Sequence, residues 1–113
     1  MRLLQAAIAG LLYALTGAVA AQAQPVAAAE QLARKNSCMA CHGMVHKQVG
    51  PGFAEVARRY RNDAAFAPQL AAKIRNGSVG TWGRIVMPRQ TQLSEADALA
   101  LAQWVLSQPP PPP

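Results

Sequence analysis

The chain has 113 residues, 11 Lys and Arg against 5 Asp and Glu, and a formal net charge of +6. That length fits one domain, and the basic balance bears on solubility and acidic partners rather than on fold. Six aromatic residues are a thin supply of bulky core material, and so small a domain calls for a staple beyond its own side chains.

In chain order, the first segment differs from the rest. Met1-Arg2 carries one positive charge, Leu3 to Ala20 is apolar apart from Gln5 and Thr16, and Ala21-Gln22-Ala23 has small residues at a cleavage spacing. Residues 1–23 read as a secretory signal peptide, with an uncleaved anchor as the alternative, and Tyr13 would leave with it. The remainder would then work outside the cytoplasm, where free cysteines oxidise unless they are captured.

Four helical patches follow. Val26 to Asn36 carries a narrow stripe of Ala28, Ala29 and Leu32. Phe53 to Tyr60 follows Gly50-Pro51-Gly52, with Phe53, Val56, Ala57 and Tyr60 on one face. Ala67 to Asn76 has Pro68 in its first turn and Gly77 as its stop. Glu95 to Ser107 has Ser94 as N-cap, with Asp97 three residues on. No internal repeat is present, and no alternating run reads as a strand. Cys38 to Gly52 and Gly77 to Leu93 are long connections that carry Val45, Val49, Val79, Trp82, Ile85 and Val86. They read as walls around something that is not protein. Pro109 to Pro113 reads as a short extended polyproline tail, so the domain proper covers residues 24–108.

Cys38-Met39-Ala40-Cys41-His42 holds the only two cysteines. A disulfide across so small a loop would stabilise little. A thioredoxin-like dithiol expects a strand before it, and here a helix precedes it. Zinc would need His46 as a fourth ligand, crowding four donors into nine residues. Covalent haem attachment explains the spacing. Two thiols add to two vinyl groups of a porphyrin, and the next residue turns its imidazole to the iron. Cys38 and Cys41 are then the thioether residues and His42 an axial ligand. The opposite axial site could take a histidine or a methionine, or stay open. His46 is too near His42 to pass round the ring. Met1 leaves with the leader, Met39 lies inside the attachment loop, and Met44 is two residues from His42. That leaves Met87, 45 residues beyond His42 and followed by Pro88. The competing role for Met87 is ordinary core packing.

At this point the sequence resembles a short class I cytochrome c, of the group that carries electrons in bacterial respiration and denitrification. The resemblance spans most of residues 26 to 108. It rests on Cys38 to His42, Val49-Gly50-Pro51, Ile74-Arg75-Asn76-Gly77-Ser78, Gly80-Thr81-Trp82-Gly83, Met87-Pro88 and Trp104-Val105-Leu106-Ser107-Gln108. It implies an all-α fold of about four helices and long loops wrapped around one covalently bound haem c, with first and last helices crossing. It implies that the Pro51 carbonyl holds the second nitrogen of His42, that the Trp82 indole bonds a haem propionate, and that Lys73 lies near the other. Plain packing for Trp82 and a solvated charge for Lys73 are the alternatives.

Ala33 stands where relatives carry an aromatic residue, and Arg89 where a second proline is usual. Gln90 or Gln92 is the nearest amide that could bond the Met87 sulfur. The implied protein is no enzyme and takes no nucleic acid or substrate. It is a soluble periplasmic one-electron carrier that meets transient redox partners, a donor such as a quinol-oxidising complex and an acceptor such as a terminal oxidase or nitrite reductase. Membrane contact would come only through those partners unless the leader is retained. The alternative is a haem c subunit held permanently by a larger redox enzyme. Lys47, Arg58, Arg59, Arg61, Arg84 and Arg89 are candidates for a docking face or, equally, a solvated basic surface.

Overall fold

A computed structural model describes residues 20–113 apart from Asn62 and Ala64, with side chains from Val26 onward. Most of the expected leader therefore lies outside the described residues. Four α-helices are present: α1 (Ala20–Lys35), α2 (Phe53–Tyr60), α3 (Phe66–Asn76) and α4 (Glu95–Leu106). A short 3-10 turn covers Cys38–Ala40. No helix among the described residues is long and apolar enough to cross a membrane.

The helix boundaries follow local chemistry. α4 begins where the Ser94 hydroxyl accepts from the Asp97 N–H at 3.0 Å, satisfying one of the donors a helix start leaves free. α2 begins at Gly52, with the Glu55 carboxylate reaching back to the Gly52 N–H. α3 starts one residue earlier than the pattern predicts and stops at Gly77, whose φ of 75° L side chains rarely adopt. α1 differs more. It starts at Ala20 rather than Val26, because Ala20-Ala21-Gln22-Ala23-Gln24 has high helix propensity and joins the helix ahead of Pro25. It ends where Ser37 turns left-handed, at φ 60° and ψ 26°, and sends the chain into the cysteine loop.

The expectation of no strands is corrected. Ser78–Gly80 (β1) and Gly83–Met87 (β2) pair antiparallel, with Ser78 opposite Met87 and Gly80 opposite Gly83. The turn residues are Thr81 and Trp82, and both flanking glycines have positive φ. β2 shows no alternation because it buries neither face in protein: Ile85 is 65% exposed and Val86 63%.

The main core joins Ala29 and Ala33 of α1, Phe53 and Val56 of α2, Leu93, and Leu101, Trp104 and Val105 of α4. Phe53 meets Trp104 edge to face at 5.2 Å, and these two aromatics occupy the cluster that includes the small Ala33. α1 packs on α4, as the crossing of first and last helices requires. Ala98 and Ala102 of α4, both fully buried, cluster instead with Ala71 of α3. The close small-on-small contact is therefore between α3 and α4. Among the described residues no large side chain is fully buried.

Candidate functional site: an apolar cleft facing His42

A cleft lined mainly by apolar side chains lies between the cysteine loop, α2, α3 and the hairpin. Its walls include Val49, Phe53, Val56, Leu70, Ile74, Val79, Ile85 and Val86. Exposed aliphatic side chains gathered on one concave surface mark a binding site.

His42, Pro51, Lys73, Trp82 and Met87 all line this cleft, and so does Cys41. Cys38 does not. It is half-buried at the start of the 3-10 turn and packs against the main core. The two cysteines are not joined to each other. Burial pushes the Cys38 thiol up, against a weaker downward pull from a hydrogen bond to its own backbone. A reactive dithiol needs the opposite, a readily formed thiolate. No three His, Cys, Asp or Glu side chains gather for a metal ion among the described residues, which argues against the zinc alternative.

The cysteine loop is a tight frame of main-chain bonds. The Cys38 carbonyl accepts from the N–H of Cys41 and of His42, and the Cys41 carbonyl from the N–H of Val49 and of Gly50. The Phe53 N–H donates to Gly43 and the Ala54 N–H to Met44, tying the loop to the start of α2. This frame holds the His42 ring with Nδ1 2.7 Å from the Pro51 carbonyl oxygen. A carbonyl only accepts, so Nδ1 carries the proton and Nε2 keeps its lone pair for an electrophile. The ring stacks on Phe53 at 5.1 Å, with 19° between the planes. A Cβ at Gly50 would lie 2.7 Å from His42 Cε1 and 3.0 Å from Nδ1. The ring is thus held closely by Phe53 and Gly50, with Nδ1 committed to Pro51. These features fit a haem: an apolar cleft, an imidazole whose Nδ1 is committed to a main-chain acceptor, and Cys41 on the cleft wall with Cys38 one turn before it.

The other methionines separate from Met87. Met39 packs against the main core, and Met44 is exposed and lies off the cleft, as does His46. Neither glutamine serves the Met87 sulfur. Gln90 Nε2 donates to the Pro88 carbonyl at 3.1 Å, and Gln92 Nε2 to Gln90 Oε1 at 2.9 Å and Asn36 Oδ1 at 3.2 Å. The chain of amides instead links the end of α1 to the stretch after Met87. Arg75 anchors the same stretch, donating from Nε to the Leu93 carbonyl while its own carbonyl accepts from the Gln90 N–H.

Of the six candidate docking cations, Lys47 and Arg84 line the cleft. Arg61 donates to the Gln108 carbonyl at the base of the proline tail, and Arg59 turns to Trp82. Two residues were not singled out from the sequence for these roles: Phe53 as the stacking partner of His42, and Arg59. No local signal marks either, since each partner is distant in sequence.

The description "Cytochrome c" fits the family model that matches residues 26–109. Cytochrome c-552 of Nitrosomonas europaea is 47% identical over 76 residues, spanning 67% of this chain and 74% of the relative. Cytochrome c-551 of Pseudomonas aeruginosa is 41% identical over 93 residues, spanning 82% and 88%. The crystal structure of wild-type Nitrosomonas europaea cytochrome c552 superposes with a TM-score of 0.67 at 46% identity, covering 70% of this chain and 98% of that one. The fold and the cleft thus define a small single-haem class I cytochrome. The chain belongs to the cytochrome c family, carries one covalently attached haem c with histidine and methionine ligation, and is a one-electron carrier.

Proposed function

We propose that this chain shuttles single electrons in the periplasm between respiratory or denitrification partners, and that it has no substrate of its own. In this reading Cys38 and Cys41 would hold the haem through thioethers, and His42 and Met87 would ligate its iron. Pro51, Lys73 and Trp82 complete the site. The observation that carries the assignment is His42, held closely by Phe53 and Gly50 with Nδ1 on the Pro51 carbonyl, facing the same cleft as Met87.

Bound haem supplies an iron that changes valence by one electron. The chain's residues set the conditions for that change. The Pro51 carbonyl orients the imidazole and raises its donor strength. Ligation by Met87 would raise the potential of the bound iron, as would the apolar walls around the cleft. With His42 and Met87 both as ligands, the iron would keep no open position for a small molecule. Lys47 and Arg84 at the rim give the approach surface a positive sign that speeds encounter with an acidic partner without making it tight.

Residues 1–23 act as the export signal in this proposal, and 109–113 as a solvated tail. Cleavage after Ala23 would leave Pro25 in the first turn of α1, where a missing N–H costs nothing. Expression in a host that attaches haem is expected to give sharp c-type bands on reduction and the weak near-infrared band of iron–methionine bonding on oxidation. Met87→Ala removes that band and lowers the potential. An unchanged spectrum would overturn the role of Met87, and absence of haem would end the reading.

A further inference from the structure

The β1–β2 hairpin carries Trp82 at its tip, yet it leans on no helix through an extended interface. What holds the tip is the last turn of α2. The Arg59 guanidinium lies over the Trp82 ring, 4.9 Å from its centroid, and 5.6 Å from the centroid of Tyr60. Arg59 Nη1 also donates to the Thr81 carbonyl at 3.4 Å. Tyr60 meets Trp82 edge to face at 6.5 Å and stacks on Phe66 at 3.9 Å, which fixes it in turn to α3. The ion pairs among the described residues are Arg34–Glu30 and Arg75–Glu95, and neither involves Arg59.

We propose that Arg59 is a positioning residue for the haem site: its guanidinium clamps the Thr81–Trp82 turn to the end of α2 and so fixes the Trp82 indole at the wall of the cleft. This rests on the reading in which Trp82 faces the haem. A cation over an indole is attracted by the ring's negative face, and indole is the strongest such partner among side chains. The same charge draws electron density from the ring and makes Nε1–H a better donor. One residue on a helix thereby orders a hairpin that has no core of its own and strengthens the hydrogen bond that the indole offers.

The test is the exchange rate of the two indole Nε1–H protons with solvent, read by nuclear magnetic resonance on the reduced, haem-loaded protein. Trp104 lies in the main core and is the internal control. Arg59→Gln is expected to speed Trp82 exchange roughly three- to tenfold, the loss of an exposed cation–π contact and a weak hydrogen bond, with Trp104 unchanged. Arg59→Lys keeps a cation over the ring and is expected to recover part of the protection. Equal acceleration of both indoles, or of neither, would overturn the proposal, and so would a lysine variant no better protected than the glutamine one. Should Arg59→Gln not fold, Arg59→Lys alone is compared with wild type, where Trp82 acceleration with Trp104 unchanged supports the clamp and any other outcome overturns it. Failure of the haem reading would show separately, as absence of c-type bands in the unsubstituted protein.

Discussion

At the scale of single residues, His42 is held by the Pro51 carbonyl, by Phe53 and by the close approach of Gly50. Gly50 touches it so closely that even one methyl group must displace the ring. Gly50→Ala is therefore expected to cost about 1–3 kcal/mol, the usual range for overpacking, measured by thermal unfolding of the haem-loaded protein. The near-infrared band should weaken as well, because the ring no longer sits squarely on its acceptor. Part of this arrangement was readable in advance, and the structure brings Cys41, His42 and Met87 to one cleft. Cysteines two apart with histidine following are spaced by covalent geometry, and the fate of Met39, Met44 and Met87 could be argued by reach along the chain. Arg59 was not legible, because the groups that explain it are the neighbouring Tyr60 and a turn 22 residues on, brought together only by folding.

At the scale of elements, capping explains most boundaries and suggests how to move stability. Ser94→Ala removes the hydroxyl that receives the Asp97 N–H and should cost about 1 kcal/mol, read from denaturant midpoints. Ser37 is the only non-glycine with positive φ among the described residues. Ser37→Gly relieves the crowding of Cβ in that conformation and should add about 0.5 kcal/mol net, after glycine's greater freedom in the unfolded chain is deducted. Its check is a rise in the melting temperature without change in the haem spectrum. Helices α2, α3 and α4 were readable because each carries an apolar stripe, with a glycine before α2, a terminal glycine after α3 and a capping serine before α4. The hairpin was not readable, since strands announce themselves by burying one face, and Val79, Ile85 and Val86 have no protein to be buried against. The start of α1 was hidden for another reason: alanine-rich leader and alanine-rich helix share one composition.

At the scale of the whole molecule, the protein is a shell with its centre supplied from outside. Two small clusters of alanine, a few aliphatics and the Phe53–Trp104 pair cannot alone offset the entropy of ordering so many loop residues. A Cys38→Ala, Cys41→Ala double variant, unable to anchor haem covalently, is expected to lose most of its far-ultraviolet circular dichroism once haem is washed out. A native helical signal without haem would contradict this account. The net charge of +6 acts at the same scale. Electron transfer to an acidic partner should slow as salt rises toward physiological strength, and a neutral partner should show little dependence, measured by stopped-flow.

The acceptor on His42 Nδ1 is a main-chain atom, the Pro51 carbonyl. No codon change can delete it, as one could delete a carboxylate or an amide side chain. Heritable variation in the strength of that bond must come from shifting the loop that carries the atom. The imidazole's partner is thereby insulated from point mutation, whereas the glutamines beyond Met87 and the cations at the rim act through side chains that a point mutation can replace. Homologues built on this plan should diverge in potential and in partner choice through those replaceable side chains long before they diverge on the histidine side.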